Sequence, residues 1–220
     1  FAEVAIDAEG IHVVDPISEA GWRRRLAIQK WLARRYGPRA LVVAPDQVGS
    51  QEVTLARLTR WAARVREIRS LGAKIVVAIQ RGKLPQADFD RTACEVLGFD
   101  DFARGIPSNK DAMPIAELEA FVREVRPPAA HLLGIGPRSL GMQAMVDVFR
   151  RFVPDAELSS DSNLIAAHVG RTNGPGGGPR LLTDLQDQIE AGGLGESPDS
   201  AREQAIIMAF KPVYLASQAI

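Results

Sequence analysis

The sequence predicts an α/β protein of repeating strand–helix units: a (β/α) TIM-type barrel, modified or N-terminally incomplete, with an irregular helical C-terminal segment. Three observations carry that expectation. Short apolar runs alternate with longer amphipathic stretches at intervals of roughly 25 to 35 residues, the pattern of βαβ units and a parallel sheet. Six such runs precede Asn163, and each from the second to the sixth ends in a polar or glycine-rich segment. After the first run, Ala8-Glu9-Gly10 supplies a single glycine, where an open doubly wound sheet would carry a glycine-rich phosphate loop. An eight-stranded barrel takes about 250 residues, so six strands and a changed texture beyond them indicate a barrel that departs from the full plan.

The runs are Val4–Ile6, Ala40–Ala44, Lys74–Ile79, Phe102–Ile106, His131–Ile135 and Ala156–Ser159. Continuous apolar character suits strands buried on both faces. Leu55, Leu58, Ala62, Val65 and Ile68 recur at helical spacing, as do Ile115, Leu118, Phe121, Val122 and Val125, and Met142, Met145, Val146 and Phe149. Asp88–Leu97 reads as a further helix. Pro114 stands where a first helical turn accepts proline, and Gly72 and Gly98 where helices end. Gly174-Pro175-Gly176-Gly177-Gly178-Pro179 is a loop, followed by a short helix at Leu181–Ile189 and a helical-looking stretch interrupted by Pro212. Residues 1–170 are therefore expected to form the barrel core, with 171–220 as a glycine-rich loop and C-terminal helices packed on it.

Composition narrows the function classes. Lysine and arginine number 27 and the acidic residues 27, so any nucleic-acid partner must be met by a local basic face. Cys94 is the only cysteine, which excludes an internal disulfide and a multi-cysteine zinc site. His12, His131 and His168 lack metal-ligand spacing, so no metal and no cofactor are expected. His131 and Cys94 read as core residues. No apolar stretch approaches the ~20 residues of a membrane span. The opening FAEVAIDAEG lacks the basic region of a signal peptide, a cytoplasmic location is expected, and a chain opening on Phe1 is expected to be trimmed.

In a parallel barrel the strand ends and the loops after them form the working face. Asp46, Gln80 and Asp161 follow the second, third and sixth runs and are expected to converge there. Two carboxylates and an amide can read the edge of a flat heterocycle: carboxylates accept from ring N–H and amino groups, while an amide or backbone N–H donates to a carbonyl. Each residue also has a structural role open to it. Asp46 could cap the helix that follows, Gln80 could tie down a loop, and Asp161 could form an Asx-turn.

In order, the segments VVAPDQ, AIQRG, GIPSNKDAMP, HLLGIGP and SSDSNL over residues 41–164 resemble the strand ends of the tRNA-guanine transglycosylase superfamily. The similarity is greater to the branch that places 7-deazaguanine bases in DNA, because the tRNA enzymes carry a cysteine-rich zinc site that one cysteine cannot build. The resemblance implies that Asp46 reads the purine N1 and 2-amino edge. It implies that Gln80 and the Gly105 backbone N–H bind the 6-oxo group, with Ile106, Leu133 and Gly134 also at the base. Asp161 would be the nucleophile on C1′ of the sugar, forming a covalent aspartyl–sugar intermediate. Asp7 is a second candidate acid, although its AIDAEG setting departs from the family's Ser-Gly-Gly context. Arg81, Lys83, Lys110, Arg138 and Arg171 follow strand ends and are expected to contact nucleic acid, whereas Arg57, Arg60 and Arg64 are expected to be solvated surface. The implied partners are DNA in preference to tRNA, and a 7-deazaguanine base. Self-association or an accessory protein is a further expected partnership. The implied rival functions are exchange in tRNA and a barrel that binds a base or nucleic acid without chemistry.

Overall fold

The computed structural model describes residues 4–7, 10–13, 19–108, 112–134, 140–160 and 213–215. In chain order the elements are β1 (Val4–Asp7), β2 (Gly10–Val13), α1 (Glu19–Tyr36), β3 (Ala40–Val43), α2 (Gln51–Ser70), β4 (Lys74–Ala78) and α3 (Gln86–Leu97). They continue as β5 (Ala103–Pro107), α4 (Ile115–Val125), β6 (Ala129–Leu133), α5 (Leu140–Phe152), β7 (Glu157–Ser160) and β8 (Val213–Leu215).

The main sheet runs β7-β6-β5-β4-β3-β8, with β3 to β7 parallel and β8 antiparallel on the edge of β3. Strand order follows chain order without reversal, and right-handed crossovers then place every connecting helix on one face. Side-chain alternation agrees. Val42, Ile75, Val77, Ile106 and Leu132 share one core with Leu58, Phe89, Leu118 and Phe149 of the helices. Leu41, Val43, Val76 and Ala103, from the opposite face, form a separate cluster built from strand residues. Each fully buried large side chain in the helix-side core contributes roughly 1.5–3 kcal/mol.

The sheet is curled. Lys74 of β4 and Glu157 of β7 form an ion pair across the two intervening strands, a span that lies at about 14 Å in a flat sheet. The architecture is thus a five-stranded parallel half-barrel, helices outside and a concave face within. A doubly wound sheet would reverse its strand order, and this one does not.

Two expectations need correction. Val4–Ile6 is not a barrel strand: β1 pairs antiparallel with β2 in a separate two-stranded sheet, so among the described residues the parallel strands number five rather than six. The stretch around Pro212 is not helical at residues 213–215, which form β8; proline immediately before an edge strand removes no ladder donor. The remainder of residues 171–220 lies outside the described residues.

Local signals account for the element ends. The Ser50 side chain caps α2 by accepting from the Val53 N–H, and Gly98 ends α3 in the left-handed region at φ 73. On the helix side of β5, Arg104 makes a buried two-point ion pair with Asp90 of α3 at 2.9 and 3.1 Å. Its remaining nitrogen donates to the carbonyls of Asp100 and Phe102. Among the described residues, no helix is long and apolar enough to cross a membrane.

Candidate active site

Parallel strands place the loops after β3, β4, β5 and β6 at one edge of the half-barrel. Asp46 and Gln80 meet there. The Gln80 Nε2 donates to Asp46 Oδ2 at 3.1 Å. The Gln80 Oε1 accepts from the Gly49 N–H at 2.9 Å, which fixes the orientation of the amide, since an N–H requires an oxygen partner. Gly49 has φ 76, a conformation suited to glycine.

The first turn of α2 clamps both loops. Gln51 donates from Nε2 to the carbonyls of Gln80 and Leu84 and accepts at Oε1 from the Leu84 N–H, each at 2.9 Å. Thr54 Oγ1 accepts from the Gln47 N–H and donates to the Gln47 carbonyl. Gly82 lies so close to Gln51 that an added Cβ would stand 2.5 Å from its Oε1. Gln51 and Thr54 are both buried, and motif reading passed over them because polar residues opening a helix carry no spacing signature.

Asp46 carries the chemical interest. It is 6% exposed, and its Oδ1 is buried without a hydrogen-bond partner. Burial pushes its carboxyl above the ordinary value of 3.8, while Arg57 and Arg25 oppose the shift. It does not cap α2, because Ser50 does. Arg57 is not the free surface residue its helical position suggested. It donates to the Asp46 carbonyl and lies over the Trp22 ring at 5.5 Å. A buried acceptor with no donor costs about 1–3 kcal/mol, a cost that any N–H or O–H donor reaching this corner would remove.

The remaining expected residues divide. Gly105 is central to the concave face: an added Cβ would stand 3.0 Å from Ala78 Cα, Val76 Cγ1 and Leu133 Cδ1. Its carbonyl accepts from the Ile79 N–H. In a parallel ladder a residue's N–H points to the same neighbour as its C=O, so the Gly105 N–H is directed into the sheet toward β4 and not at the mouth. Ile106 is corrected outright. It is fully buried among the helices, because strand alternation turns it away from the face that Gly105 and Leu133 share. Gly134 ends β6 at φ 73, and an added Cβ there would stand 3.1 Å from Ser108 Oγ.

Below the mouth, on the same concave face, His131 Nδ1 lies 2.9 Å from Ser159 Oγ. Burial pushes the imidazole down to about 4, so it is neutral at physiological pH. Cys94 lies half-buried beside Asp90, and burial raises its thiol above the ordinary value, as suits an inert cysteine. No group of three or more potential metal ligands occurs among the described residues.

No family model matches the chain, and no curated protein and no solved structure matches it.

Arg81 and Lys83 are exposed after β4, and Arg81 pairs with Glu117 at 3.1 Å. Asp7 ends β1, in the separate hairpin. Asp161 follows Ser160, the last residue of β7, and with Lys110, Arg138 and Arg171 it lies outside the described residues.

Proposed function

We propose that this chain is a transglycosylase that exchanges guanine in DNA for a 7-deazaguanine, and that its half-barrel belongs to a TIM-type barrel. The observation that carries the reading is the buried Asp46–Gln80 pair at adjacent strand ends, with one Asp46 oxygen unpaired. A guanine edge presents an N–H and an amino group side by side, and these supply the donors that Asp46 lacks. Asp46 gives one Nε2 hydrogen of Gln80 an acceptor, which leaves the other for the 6-oxo group. Gly105 serves by having no side chain, which lets Val76 and Leu133 close over that strand to form the concave floor beneath a flat ring.

Asp161 is the proposed nucleophile, next in the chain after Ser160 of β7. Its carboxylate oxygen bonds C1′ as the C1′–N9 bond breaks, and the electron pair leaves with guanine, which then takes up a proton. Negative charge gathers on the departing base at the oxygen edge, where Gln80 donates. The entering 7-deazaguanine loses its N9 proton, bonds C1′ and displaces Asp161. The target base must leave the duplex stack to reach such a mouth.

The test is incubation with radiolabelled guanine and either duplex DNA or tRNA. Label entering DNA, with a covalent protein–DNA adduct that Asp161→Asn abolishes and Asp155→Asn retains, is the expected result. Asp155 is a suitable comparison because it is exposed in the turn before β7, at the opposite end of that strand. Label entering tRNA would change the polymer, and base binding without exchange in either would make the chain a binding module.

A further inference from the structure

The two helices flanking β3 carry a charge that the whole chain does not. α1 and α2 hold eleven basic residues against three acidic ones, although the 27 basic and 27 acidic residues of the chain cancel. α3 and α4, in the same outer layer, hold two basic and six acidic residues. Surfaces that serve solubility alone intersperse the signs. Here they are segregated by helix pair.

The seam between α1 and α2 concentrates the positive charge. Glu19 accepts from both Arg23 and Arg60, at 2.6 and 2.7 Å. Glu67 in turn is shared by Lys30 and Arg64. One carboxylate between two cations leaves each cluster net positive. The side chains of Arg23, Arg60 and Arg64 are 68%, 60% and 61% exposed, so these pairs contribute little stability and their guanidinium groups can be engaged from outside. All three tryptophans of the chain lie in these helices. Guanidinium groups cover each ring: Arg57 on Trp22, Arg35 on Trp31 and Arg60 on Trp61. Arg57 also joins the seam to the mouth through the Asp46 carbonyl.

We propose that the α1–α2 seam docks the phosphate backbone of nucleic acid, with Arg23, Arg60 and Arg64 as phosphate contacts, and leads the strand to the mouth from the β3 side. Arginine forks match phosphate oxygens two at a time, and a row of them on two adjacent helices fits a polyanion of regular charge. The identity of the polymer rests on the base-exchange reading; the charge argument rests on the helices alone.

The experiment is fluorescence anisotropy of a labelled duplex of about 20 base pairs, titrated at several salt concentrations. Wild type should bind, and its affinity should fall linearly in log Kd against log salt. Arg60→Gln with Arg64→Gln should weaken binding and reduce that slope by about 1.8, at ~0.9 per phosphate lost. Arg91→Gln, on the acidic helices, should change neither, and circular dichroism checks that each variant is folded. Duplex binding should also alter the intrinsic tryptophan fluorescence. An unchanged affinity and slope in the double variant, or absence of duplex binding at low salt, overturns the proposal. So does equal binding of poly-glutamate, which would assign the seam to an acidic protein. Guanine binding measured alongside separates the readings. Duplex binding with the expected slope but no base binding keeps the seam and sinks base exchange, and the reverse outcome sinks the seam alone.

Discussion

Replacing Asp46 with asparagine should make the protein more stable while destroying base recognition. The carboxyl is buried, Oδ2 has one donor in Gln80, and Oδ1 has none. Burial raises its pKa above 3.8. The folded chain therefore holds that proton more tightly than the unfolded chain does, and the group's contribution to stability falls as pH rises above 3.8. By neutral pH the raised pKa has therefore cost stability that an uncharged side chain would keep. Asparagine can accept from Gln80 through its amide oxygen and leaves no charge to desolvate. Its NH2 inherits the unpaired position, so the gain comes from the charge alone. Desolvating a charged group costs more than desolvating a neutral one by an amount on the order of the 1–3 kcal/mol of a buried polar group, and each kcal/mol moves the Tm of a domain this size by ~2–4 °C. A rise of roughly 2–12 °C at pH 7 is expected, shrinking toward pH 4. Melting curves of both proteins across that range, with guanine binding by calorimetry, test it. A lower Tm at every pH would refute the reasoning and make Asp46 a structural pin for the loop.

Three further outcomes follow from the same packing. His131, pushed down to about 4 from 6.5 by burial, contributes stability fully above pH 6.5 that is lost as pH falls toward 4; at ~1.4 kcal/mol per pH unit this is about 3 kcal/mol. Urea midpoints of His131→Asn should lose that acid-side decline. Gly105→Ala should cost about 1–3 kcal/mol by overpacking, since the new methyl would stand 3.0 Å from three neighbours, and should weaken base binding as well. Arg104→Met should cost about 3–5 kcal/mol by leaving the buried Asp90 without its cation, and Asp90→Leu added to it should recover much of the loss; denaturant unfolding of the single and double variants decides.

The parallel strands were legible because strands buried on both faces read as unbroken apolar runs. Lys74–Ile79 overlaps β4 throughout, and Ala40–Ala44 overlaps β3. Val4–Ile6 has the same texture, yet apolar character says nothing of pairing partner, and that run joined a hairpin. α1 went unassigned because its arginines break the apolar rhythm. The Asp46–Gln80 meeting followed from strand ends sharing one edge, with no side-chain geometry needed. Arg57 could not be read that way. Its helical position places it toward solvent, and only its long stem returns the guanidinium to Asp46. Ile106 was misplaced by taking a strand end as one surface, when alternate residues on it face opposite ways.

The antiparallel partner of β3 has a consequence in time. Val42 is paired with Val213, so the edge of the first parallel strand waits for a segment about 170 residues later. At ~5–20 residues per second of synthesis, that wait is roughly 10–30 s. The neighbouring parallel pairs close over far shorter loops and can assemble on the ribosome as each βα unit emerges. β3 then stands as an unpaired edge beside a growing sheet, a template for any extended chain that reaches it. A truncation before Val213 would make that temporary edge permanent, and its signature would be concentration-dependent aggregation with the parallel core still folded.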